Sequence, residues 1–234
     1  MKAIAKREIR AYFSSPIGYV CVGVLCALFG FYYYQVLLLG TTANIPSVYG
    51  MMFTYCMMVI PIITMRSMSD DRRNKTDQAL LTAPVGLGSL VMGKFFGALM
   101  VYAIGLLLSL VPCVVISFFA QPSWGVILGS VLGSLLYGGA MVAIGIFLSC
   151  LTESQVIAAV STFGVSVFLM VVDQLASITS SSFLMKLVEW LSFNTRYTPF
   201  FKGIFDLSST VFFLSVAAIF IFLTARKLES RRWS

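Results

Sequence analysis

The chain has 234 residues, 59% of them hydrophobic and 11% charged, with a mean hydropathy of +0.94 and a formal net charge of +7. Soluble domains hold roughly half apolar and a quarter charged residues, so this balance marks an integral membrane protein with a single membrane domain over residues 1–234. Histidine is absent, which removes a Ser-His-Asp triad and the commonest metal ligand, and the basic excess lies beside apolar runs, where membrane topology accounts for it without nucleic acid.

Residues 1–14, MKAIAKREIRAYFS, are too polar to cross a bilayer. On a helical wheel Lys2, Lys6, Arg7 and Arg10 share one arc, and Ile4, Ala5, Ile9, Tyr12 and Phe13 fill most of the other, with Glu8 intruding. Two readings fit: a helix lying in the cytoplasmic interface, or a plain basic flank that sets topology. The apolar run that follows, about Ile17 to Leu39, lacks a small-residue cleavage site and reads as a retained first span. A second span, about Val48 to Met65, contains Pro61, which predicts a kink near its inner end.

Residues 66–94 form a polar island. No residue between Arg10 and Arg66, or between Lys94 and Glu153, carries a formal charge, whereas the island holds Arg66, Arg72, Arg73, Lys75 and Lys94 against Asp70, Asp71 and Asp77. Asn74 or Thr76 suits a helix cap, Asp77 its first turn, Ala79, Leu80 and Leu81 an apolar face, and Pro84 a stop. Such a helix serves equally as a docking element or as a surface-lying loop. Gly88 to Lys94 has GxxxxGK spacing, but Phe95 stands where a phosphate-binding loop needs Ser or Thr, and no βαβ context surrounds it. Lys94 reads instead as a cation snorkelling at the start of span three.

The third span runs from about Phe95 to Phe118 and the fourth from Trp124 to about Cys150. On the fourth, Gly125, Gly129 and Gly133 recur every four residues, a groove for a helix of this chain or of a second copy. The fifth, Val156 to Val172, ends at Asp173, read as an interfacial carboxylate. Residues 173–209 form the outer segment. Ser182, Lys186 and Glu189 share one face of an otherwise apolar run there, and Phe200, Phe201, Lys202 and Gly203 belong to a stretch too aromatic for a solvated loop. The last span covers about Ser208 to Ala225. Thirteen Lys and Arg fall on the predicted inner side and three outside, which orients six spans with both termini cytoplasmic. The five cysteines lie in or beside apolar runs and read as small buried hydrophobes. No catalytic site, metal site or cofactor site emerges.

The run from Pro61 to Val85, PIITMRSMSDDRRNKTDQALLTAPV, followed by Gly93-Lys94-Phe95, resembles the segment between spans two and three of ABC-2 type transporter permeases. Ser14 to Tyr19 (SSPIGY), Gly145 to Gln155 (GIFLSCLTESQ) and Phe200 to Leu207 (FFKGIFDL) are most similar to the branch associated with gliding motility. The resemblance covers essentially the whole chain. It implies an all-α membrane fold with six transmembrane helices, an N-terminal interfacial helix, a cytoplasmic coupling helix and short outer re-entrant helices between spans five and six. It also implies a bacterial cytoplasmic-membrane location and two permeases, as copies or paralogues, working with two separate ABC ATPase subunits that hold ATP and Mg. An extracytoplasmic-domain membrane protein is a further candidate partner. Asp70, Asp71, Arg72, Arg73, Thr76, Leu80, Leu81 and Pro84 match the ATPase-coupling motif. Gln78 stands in it where Glu is usual, and Lys75 where Gly is usual. Phe200 to Gly203 fall where the family places its outer gate. The competing class is a self-contained channel or scaffold, and the scarcity of charge inside the spans leaves it without a visible ion path.

Overall fold

The computed structural model describes residues 2–38, 45–74, 86–119, 121–178 and 192–232, and these are helical with short connections. Helix α1 (Lys2–Ser14) breaks at Ser15, and Pro16 opens α2 (Pro16–Leu38), a position where a missing N–H costs nothing. The expected second span is two helices, α3 (Ile45–Gly50) and α4 (Met52–Thr64), divided at Met51. Neither approaches the ~20 residues a crossing needs. Pro61 lies in the last turn of α4, where its carbonyl accepts from Met65 N at 2.9 Å.

A short helix α5 (Ser69–Arg73) follows, then α6 (Leu87–Leu108), α7 (Leu110–Ser117), α8 (Trp124–Leu151), α9 (Gln155–Ile178), α10 (Phe193–Phe201) and α11 (Leu207–Arg232). Five stretches among the described residues are long and apolar enough to cross a membrane: Pro16–Val36, Leu87–Ser117, Trp124–Leu151, Gln155–Val172 and Leu207–Ser230. Three boundaries differ from expectation. Helix α6 begins two turns before Phe95, so Gly88 to Lys94 is helix, not loop. Helix α9 continues past Asp173, and α11 continues beyond Ala225 through Arg226 and Lys227. The expected helices around Thr76 to Leu81 and Ser182 to Leu191 lie outside the described residues.

Helix α8 is the axis. Its outward side chains are few, and α4, α6, α9, α10 and α11 all pack on it. Absent Cβ atoms permit the approach. A Cβ at Gly133 would come within 2.4 Å of Phe200 Cβ, one at Gly138 within 2.3 Å of the Tyr102 ring, and one at Gly145 within 2.4 Å of Thr64 Oγ1. Neutral hydroxyls bind the same elements: Tyr197 donates to the Tyr49 carbonyl at 2.7 Å and lies 2.9 Å from Ser134 Oγ, while Tyr102 donates to the Ser134 carbonyl at 3.1 Å. All five cysteines are free thiols.

The end of the bundle at α10 is tightly capped. Ser192 accepts from Thr195 N at 3.0 Å to start α10. At its other end Gly203, with φ +78°, lets Gly203 N reach the Phe200 carbonyl and Ile204 N reach the Pro199 carbonyl, a Schellman turn that a side chain at this φ would strain. Asp206 then caps α11, accepting from Ser208 N at 3.1 Å and Ser209 N at 3.0 Å. The Ser209 hydroxyl, these backbone donors and nearby Arg196 hold its carboxyl below the usual range.

Two outcomes follow from this packing. Gly133→Ala should lower stability in detergent by about 1–3 kcal/mol through overpacking against Phe200, whereas Gly125→Ala, with nothing within 4 Å of the added Cβ, should leave the melting temperature unchanged or slightly higher. The Asp206 cap favours the folded state while the carboxyl is ionised and loses that advantage as pH falls through its lowered folded-state value. Wild type should therefore lose stability relative to Asp206→Asn as pH falls below about 5, and run parallel to it above about pH 6, in pH-resolved thermal melts.

Candidate functional site

Where the polar island meets the spans, one ammonium is buried. Lys94, two turns into α6, is 3% exposed. Its Nζ donates to the Ser67 carbonyl at 2.5 Å, lies 2.6 Å from Asp71 Oδ2 and lies 3.3 Å from Glu8 Oε1. The expected snorkelling is thus corrected. An ammonium inside the bundle needs both neutralisation and donors' partners, and here two carboxylates and a carbonyl supply them from α5, α1 and the α4–α5 turn.

Helix α1 reaches this position because α6 presents Gly93 and Gly97 to it. A Cβ at Gly93 would meet Ile4 Cγ2 at 2.6 Å, and one at Gly97 would meet Glu8 Cβ at 2.7 Å. Glu8 therefore sits on the packed arc of α1 for a reason: it faces Lys94. Tyr12, one turn on, donates to the Ile63 carbonyl at 2.7 Å, and the Arg66 guanidinium lies 5.8 Å from its ring centroid. Burial, reinforced by Glu8, pushes the Tyr12 hydroxyl up, so it remains a donor. A polar cavity of about 220 Å³, lined by Arg7, Glu8, Tyr12, Arg66, Asp71 and Lys94 among others, opens beside the cluster and has room for several waters.

Helix α5 is the junction. Asp70 and Asp71 occupy its first turn and Arg72 and Arg73 its last, the arrangement that suits a helix dipole. Three of the four turn toward other elements. Asp70 pairs with Arg66 Nε at 3.3 Å and accepts from Gln155 Nε2 at the head of α9. Asp71 meets Lys94. Arg72 donates to the carbonyl of Leu151, the last residue of α8, at 3.0 Å and pairs with Glu153 of the α8–α9 turn at 3.0 Å. Arg73 is exposed. No side chain of α5's own N-cap satisfies its first N–H groups; Ser149 of α8 does, accepting from Met68 N at 3.2 Å and Ser69 N at 3.1 Å while donating to the Met65 carbonyl at 3.2 Å. Arg66 also donates to Ser15 Oγ at 2.6 Å, at the α1–α2 junction.

Of the expected coupling residues, Asp70, Asp71, Arg72 and Arg73 are placed at this junction, while Thr76, Gln78, Leu80, Leu81 and Pro84, with Lys75, lie outside the described residues. Gly129 and Gly133 face α10 of the same chain, with Gly203 Cα 3.5 Å from a Cβ at Gly129, and Gly125 faces open space. Of the outer residues Phe200 is buried against α8, Phe201 is partly buried, Lys202 is exposed and Gly203 makes the turn. Sequence reading missed Glu8, Gly93, Gly97 and Ser149. The available signal was a carboxylate on the wrong arc of α1 and a second four-residue glycine spacing beside Lys94.

Five stretches among the described residues long and apolar enough to cross a membrane, with a charged junction at one end of the bundle and a capped short helix at the other, define a multi-pass membrane protein. A family model described as ABC-2 family transporter protein matches residues 2–226, and the chain belongs to that family: it is a membrane permease component of an ABC transporter. Members are in general not catalytic themselves and in general imply an ABC ATPase partner. No curated protein matches the chain.

Removing the ammonium tests the cluster. Lys94→Met should cost about 3 kcal/mol, the low end for a broken buried pair because the adjoining cavity hydrates the carboxylates. Adding Glu8→Gln and Asp71→Asn should restore most of that loss, whereas Arg7→Ala, which breaks a pair whose arginine side chain is 53% exposed, should change stability by less than about 0.5 kcal/mol.

Proposed function

We propose that this permease is driven by a separate ATPase subunit that bears on the segment from Asp70 to Pro84, and that the Lys94 cluster carries the displacement into α1 and α6. The observation that supports this reading most directly is the tie of α5 to three places at once: to α6 and α1 through Asp71 and Lys94, to α9 through Asp70, and to the α8–α9 turn through Arg72. A load on α5 has no soft path around these elements. ATP and Mg belong to the partner.

In this reading α3 and α4 together make a sixth, broken crossing, both termini are cytoplasmic, and the complex lies in a bacterial inner membrane, in keeping with the thirteen-to-three charge asymmetry. Two permeases, as copies or paralogues, act together, and α10 is an outer re-entrant element. Phe200 to Gly203 gate the outer side, since Phe200 is keyed into α8 at Gly133 and shifts with it. The likeness to the gliding-motility branch supports export, or transmission of force to an extracytoplasmic-domain partner.

Leu80→Asp combined with Leu81→Asp tests the docking. ATPase turnover in the reconstituted complex should fall to that of the ATPase alone. Unchanged assembly with unchanged turnover would reject the assignment in favour of an uncoupled channel or scaffold.

A further inference from the structure

A second cavity lies away from the ion cluster, between α6 and α11, with α8 as its floor. It has a volume of about 610 Å³ and a wall of hydrocarbon: Met92 and Leu99 on α6, Ala218 and Phe222 on α11, Gly139 and Ala140 beneath. It follows α6 from Gly88 to Leu99 and α11 from Ala225 back to Phe213, about 17 Å at a helical rise of ~1.5 Å per residue. A hydrocarbon core is ~30 Å thick, so the groove is about as long as one leaflet is deep.

Its shape and its mouth select the occupant. Its hydrocarbon wall and its length of about 17 Å match a single extended acyl chain. The groove ends at the basic end of the bundle. Arg226 follows the lining residue Ala225, is exposed, and holds its guanidinium 5.3 Å from the centroid of the Phe222 ring, itself part of the wall. Lys227 is exposed beside it. Glu229 takes one guanidinium nitrogen at 2.9 Å, an exposed pair that leaves further donors of the same fork available.

We infer that this groove is a binding site for an anionic glycerophospholipid, with one acyl chain lying between α6 and α11 and the phosphate at Arg226. The site is independent of whether an ATPase drives the chain. It makes a lipid part of the contact between α6, which carries Lys94, and α11.

Native mass spectrometry of the full chain, released from phosphatidylcholine nanodiscs doped with phosphatidylglycerol, reads the site directly. Wild type should retain a single phosphatidylglycerol per chain. Ala218→Trp, a substitution at an exposed wall position that fills the slot, should remove it. Arg226→Gln, a surface change that leaves the groove open, should lower the preference for phosphatidylglycerol over phosphatidylcholine about five-fold. Val160→Trp on the exposed face of α9 should behave as wild type. Retention unchanged by Ala218→Trp, or lost equally with Val160→Trp, or an undiminished phosphatidylglycerol preference in Arg226→Gln, would overturn the site. So would a fall in the number of chains per particle on Ala218→Trp, which would assign the groove to a second copy.

Discussion

A buried ammonium cannot be left to find its own partners. With its side chain 2% exposed, Lys94 requires charge and hydrogen-bond compensation where it stands, and that requirement positions three separate parts of the chain. Glu8 brings α1 onto α6, Asp71 brings α5 beneath it, and the Ser67 carbonyl fixes the turn between α4 and α5. Such a cluster adds little net stability over an apolar core of the same shape. Its contribution is specificity of arrangement, because each alternative packing leaves a charge unmatched.

The second organising feature is the thinness of α8. Its glycines and serines admit Phe200, Tyr102 and Thr64 to the helix surface itself, and its last serine, Ser149, reaches out of the helix to complete the hydrogen bonding of α5. One helix therefore contacts both ends of the bundle: the capped α10 at one, the charged junction at the other. Displacement of α8 along its axis would be felt at Phe200 and at α5 alike.

The class of fold was legible because hydropathy acts through length: runs of about 20 apolar residues have few alternatives to crossing. The first and fourth spans were placed nearly to their ends. The second was not, because the break at Met51 depends on how Tyr49 and Met52 pack inside the bundle, and window hydropathy does not see it. Lys94 was misassigned for a related reason. A lysine eight residues into a helix has the same local pattern whether it snorkels or turns inward; only the arrival of Glu8 and Asp71, 86 and 23 positions away in the sequence, decides. The motif at Asp70 to Arg73 was visible as a motif, yet three of its four residues face the rest of this chain, which no spacing rule reports.

The hydroxyl and thiol groups inside the bundle have a consequence for energetics in the membrane field. Tyr33, Tyr49, Ser109 and Cys113 satisfy one another, as do Ser134 and Tyr197, Tyr102 donates to the Ser134 carbonyl, and the ammonium of Lys94 stays beside two carboxylates. A charge carried through the full field exchanges about 2.3 kcal/mol per ~100 mV. Rearranging these described side chains transports none, so the membrane potential neither assists nor opposes their rearrangement.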